Sequence, residues 1–131
     1  MLDHEYEGTT DTLRAARSEV GAILAERRLS VDVRERAELV VSELASNAVQ
    51  ASPGAPYRLS VAIESDDAVV ISLTSEASQG GQGGPPPRAE WGPTNVLSAT
   101  GRGLLIVDEL SDDVNVQRPT GGKIVVTATL R

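Results

Sequence analysis

The stretch ELVVSELASNAV, Glu38–Val49, decides how the rest of the chain is read, together with GRGLLIVDEL, Gly101–Leu110. The first lies in an amphipathic helix predicted from Asp32 to about Ala51, where Asp32 and Glu35 stand as N-cap and N3 residues of a capping box and Pro53–Gly54 ends the run. Its apolar stripe is Ala37, Val41, Leu44, Ala48 and Ala51. Glu43 and Asn47, four apart, stand one above the other at the border of that stripe. A carboxylate and an amide oxygen so placed can hold a hard cation or the water shell of a phosphate-bound magnesium ion, and the carboxylate can serve as a general base. Taken alone, such a pair is more often a solvated pair on an ordinary amphipathic helix.

Working outward, Asp11–Arg28 shows helical spacing in Leu13, Ala16, Val20, Ile23 and Leu24, with Thr10 or Asp11 to cap it. The residues before it, His4 included, are expected to fray. From Tyr57 the period changes to two. Leu59, Val61 and Ile63 share one face, as do Val69, Ile71 and Leu73, and Ser65–Asp66–Asp67 links them into an antiparallel hairpin. Residues 77–100 show no periodicity and contain a Gly- and Pro-rich tract, which predicts a functional or unstructured loop. Gly101–Arg102–Gly103 then directly precedes an apolar helix ending near Leu110, and glycine backbone at a helix start suits an anion. Read by itself, the same tripeptide is an ordinary flexible loop end. Val114–Gln117 and Lys123–Leu130 close the chain as two strands. The order predicts one α+β domain over residues 1–131, a two-layer sandwich of helices on a mainly antiparallel sheet.

Composition narrows the function. A net charge of −7 argues against direct nucleic-acid binding, which needs clustered Lys and Arg. There is no cysteine and a single histidine, so disulfide, thiolate and multi-histidine metal chemistry are excluded. No run approaches the roughly 18 apolar residues of a membrane span, and the start MLDHEYEGTT lacks the pattern of a signal peptide, so a cytoplasmic protein is expected. Trp91 reads as a pin for its loop or as a stacking or partner anchor, and Asp108, Glu109, Asp112 and Asp113 as a solvated face at a helix end or a cation site.

The two opening motifs, in that order around a hairpin and a loop, resemble the N-box and second glycine box of the GHKL ATPases, and specifically the anti-sigma-factor serine/threonine kinase branch. The likeness runs from RAAR, Arg14–Arg17, to GGKIVV, Gly121–Val126. It implies the Bergerat ATP-binding fold with ATP and Mg2+ as cofactors. Glu43 would be the catalytic base and Asn47 the magnesium-binding residue. Gly101, Arg102, Gly103 and Leu104 would contact the phosphates, and residues 77–100 would form a lid over the nucleotide. It implies a serine on a STAS-domain antagonist as substrate and a sigma factor as second partner, and leaves a homodimer open. The same likeness covers a non-catalytic module of this fold that sequesters a sigma factor or antagonist with weak or no nucleotide binding. Three positions depart from the family pattern. The aspartate that meets the adenine amino group is Ser75 here. The last-strand Gly-Lys-Thr is Gly122-Lys123-Ile124, which keeps Lys123 as a candidate nucleotide contact, and the histidine that closes the N-box is Ala51.

Overall fold

A computed structural model describes residues 2–76, 99–118 and 122–131. Along the chain the elements are β1 (Leu2–Gly8), α1 (Asp11–Glu26), α2 (Val31–Ala51), β2 (Gly54–Ile63), β3 (Val69–Glu76), α3 (Ala99–Leu110), β4 (Asp113–Gln117) and β5 (Lys123–Leu130). The five strands form one sheet in the order β1-β2-β3-β5-β4, with every neighbouring pair antiparallel. The α+β architecture of helices on an antiparallel sheet is therefore the fold of the chain.

Alternation explains which side of the sheet the helices cover. In the β2·β3 ladder Leu59 faces Leu73 and Val61 faces Ile71, and all four are buried. In the β3·β5 ladder Ile71 faces Ala128 and Leu73 faces Val126, again buried. Ala16, Val20 and Leu24 of α1 and Ala37, Val41, Leu44 and Ala48 of α2 meet this surface, so the core is almost wholly aliphatic. At about 25 cal/mol per Å2 of apolar area removed from water, such burial is the main force holding the two layers together. Helix α2 is central, packed against α1 on one side and α3 on the other and also against β2, β3 and β5.

Four sequence expectations need correction. The N-terminus is not frayed: His4 lies in β1, an edge strand paired with β2 from Leu2↔Val61 to Gly8↔Gly54. Its signal is faint because only Tyr6 and Gly8 are buried, while Asp3, Glu5 and Glu7 face water. Helix α1 stops at Glu26, because Arg28 adopts a left-handed φ of 59° that turns the chain toward the antiparallel α2. Helix α2 is capped by Ser30, whose hydroxyl accepts from Val33 N–H at 3.2 Å, so Asp32 is not the cap. Asp32 lies in the first turn and pairs with Arg36 at 3.0 Å. Lastly, α3 begins at Ala99, so Gly101–Gly103 lie inside the helix and not ahead of it.

Candidate functional site

The seam between α2 and the sheet holds the two polar side chains, Asn47 and Ser75, that are buried among the described residues, 9% and 7% exposed. Asn47 stands one turn before the end of α2 and lies deeper than a border position would. The reason is the central place of α2: Val40, Ala45 and Val49, outside the expected stripe, are buried as well, because neighbours cover more than one face of the helix. Ser75 is the last inward residue of β3, continuing the buried series Val69, Ile71 and Leu73. The fully buried side-chain N and O atoms without a partner among the described residues are Arg34 Nε and Ser111 Oγ, so the amide of Asn47 and the hydroxyl of Ser75 remain open to a partner from outside. Neither side chain makes a hydrogen bond to another described residue. Two such groups on one seam, one on the helix and one on the sheet, are suited to receive a polar ligand.

Glu43 is half-buried one turn before Asn47. It opens into a groove of about 420 Å3 between α1 and α2, where Thr10, Leu13, Arg14, Arg17, Ser42 and Ser46 are its neighbours. Two guanidinium groups from α1 thus share the groove with the candidate base. A hydroxyl-bearing chain segment entering this groove would find a carboxylate able to take its proton and cations able to hold acidic neighbours.

The glycine box runs in the N-terminal part of α3, which packs along α2. In a helix that starts at Ala99, N–H groups pair from Arg102 onward. Those through Gly101 are the ones left for an anion, and Arg102, Gly103 and Leu104 follow along the same helix. Lys123 is not brought to the seam. It stands opposite Glu76 in the β3·β5 ladder and pairs with it at 3.1 Å on the outer side of the sheet. Alternation forces this, since Ile124 next to it is the inward residue, only 1% exposed. Residues 77–98, with the lid expectation and Trp91, lie outside the described residues.

At the far end of α3, Asp112 accepts a hydrogen bond from the Arg131 N–H at 2.6 Å. Among the described residues no group of three or more His, Cys, Asp and Glu side chains could hold a metal. No described helix is long and apolar enough to cross a membrane.

The family profile of the histidine kinase-like ATPase domain matches residues 6–129. The chain belongs to that family. Membership makes ATP the nucleotide that this fold is built to hold. Among solved structures, the RsbU and RsbW domains of Rv1364c from Mycobacterium tuberculosis share the fold, with TM-score 0.68 and 17% identity over 100% of this chain. The histidine kinase domain of the Erythrobacter litoralis EL346 blue-light-activated histidine kinase is also similar, with TM-score 0.56 and 19% identity over 90% of this chain. This chain spans 32% of the first protein and 60% of the second. No curated protein matches it. In this family member, sequence reasoning had named Asn47 and Ser75. It missed the groove that Glu43 shares with Arg14 and Arg17, because two helices must pack before their facing residues become neighbours.

Proposed function

We propose that this histidine kinase-like ATPase domain is an ATP-binding regulator of the anti-sigma-factor type, acting as a protein serine kinase on a STAS-domain antagonist. The observation that carries the reading is Glu43, half-buried in the α1–α2 groove one helical turn from the buried Asn47. ATP would supply the transferable phosphoryl group and magnesium the charge that offsets its phosphates. Asn47 would hold the magnesium ion through its side-chain oxygen, and the N-terminal part of α3, Gly101 to Leu104, would face the phosphates. Ser75 would meet the base at the sheet. Glu43 would accept the proton of the acceptor serine at its carboxylate, and Arg14 and Arg17 would hold the acceptor protein in place. The buried amide and hydroxyl fit a nucleotide, since each gains a partner it lacks among the described residues.

The decisive experiment incubates the full chain with magnesium-ATP and a STAS-domain antagonist, and compares Glu43→Gln. Phosphate should appear on the antagonist with the wild-type chain only, while ATP binding by the variant stays within about threefold of wild type, as expected when a proton acceptor outside the phosphate cradle is changed. Equal labelling by the variant would remove Glu43 from the chemistry.

A second reading has its own support in Ser75 and Ile124, which replace the family's polar base-recognition residues. It is a non-catalytic module that sequesters a sigma factor or the antagonist. It requires partner affinity to be indifferent both to magnesium-ATP and to Glu43→Gln.

A further inference from the structure

Ser75 and Ile124 stand directly opposite each other in the β3·β5 ladder, and both side chains turn toward the helices. Around them the inward positions of β3 and β5 are Val69, Ile71, Leu73, Val126, Ala128 and Leu130, all apolar. The Ser75 hydroxyl is thus the one polar side-chain group that these two strands send into the seam among the described residues. Ile124 offers no polar atom across the ladder to fix its orientation. A hydroxyl both donates and accepts and rotates to suit its partner, whereas a carboxylate at neutral pH only accepts.

This difference bears on the nucleotide, and the inference rests on the nucleotide-site reading given above. The 6-amino group of adenine donates a hydrogen bond, and the 6-oxo group of guanine accepts one. A carboxylate here would favour the first and repel the second. We propose that the Ser75–Ile124 pair makes the base end of the site tolerant, so that the chain takes purine nucleoside triphosphates with either a 6-amino or a 6-oxo group. Ser75 Oγ accepts from the amino group of ATP, and its O–H donates to the carbonyl of GTP. No charge at this point selects between them, and Ile124 serves both bases as an apolar flank.

The test is calorimetric titration of the full chain with magnesium-ATP and magnesium-GTP, for the wild type, Ser75→Ala and Ser75→Asp. Wild-type affinities for the two should agree within about tenfold, the range that one neutral hydrogen bond can shift. Ser75→Ala should weaken both by a similar factor and leave their ratio unchanged. Ser75→Asp should move the ratio toward ATP by about tenfold to a hundredfold, chiefly through loss of GTP. A wild-type preference of about a hundredfold or more for either base would overturn the tolerance while leaving the nucleotide site standing. Binding of neither triphosphate at millimolar concentration would overturn the site reading and the tolerance together. If Ser75→Asp does not fold, the wild-type ratio and Ser75→Ala decide the matter.

Discussion

At the scale of single residues, the chemistry of the fold concentrates where polar atoms enter an aliphatic interior. Asn47 and Ser75 do so at the candidate site. Tyr6 and Tyr57 do so on β1 and β2, in the row of the sheet level with Ser75, stacked with ring centroids 5.5 Å apart. Tyr6 donates to the Glu19 carboxylate, and the Tyr57 hydroxyl shares a 2.8 Å hydrogen bond with Thr12. Burial first, then the bond to Glu19, pushes the Tyr6 phenol well above its ordinary value, and burial raises Tyr57 as well. Both folded pKa values are raised, so the stability they contribute is complete below the ordinary tyrosine value of 10.0 and is lost as pH rises beyond it, where the unfolded chain ionises first. Urea unfolding followed across this range should show a midpoint that falls above pH about 10. Tyr6→Phe should flatten that fall, and an unchanged slope would mean that Tyr6 ionises as freely in the fold as in water.

At the scale of elements, caps and close approaches set the boundaries that periodicity left loose. Ser30 and Asp32 are both capping residues by type, and the chain uses Ser30 because its extended backbone, with ψ at 152°, aims the hydroxyl at Val33 N–H. Ser30→Ala should therefore cost about 1 kcal/mol in denaturant unfolding. Asp32→Ala should cost distinctly less, since it removes only an ion pair with an aspartate 78% exposed. The reverse order would return the cap to Asp32. At the end of β1, Gly8 is required for a different reason: a Cβ there would sit 2.1 Å from the Ala55 carbonyl oxygen, beside an irregularity in the β1·β2 register. The helical periods of α1 and α2 and the alternation of β2, β3 and β5 were legible because each buries a repeating face. Strand β1 was not, because one edge strand with three outward acids carries too little apolar repeat to announce itself.

At the scale of the molecule, one side chain joins parts distant in sequence. Arg36 donates to the carbonyls of Leu110, at 2.9 Å, and Arg131, at 2.6 Å, and also pairs with Asp32. It thereby ties α2 to the end of α3 and to the end of β5. Arg36→Ala should lower stability by about 1–3 kcal/mol, because it strips two carbonyls of a charged donor. Arg36→Lys should recover only part of this, since a single ammonium cannot reproduce the planar fork. Denaturant unfolding of both variants measures the effect, and an Arg36→Ala chain as stable as wild type would dissolve the clamp. The sequence by itself determined the layer architecture, the inward faces and the placing of Glu43 one helical turn before Asn47, because those depend on local periodicity and on residues a helical turn apart. Tertiary structure alone decided that Lys123 turns away from the seam, that Ser75 faces Ile124 and that Glu43 shares a groove with Arg14 and Arg17. These are relations between separate elements, and only strand register and helix packing bring such residues into contact.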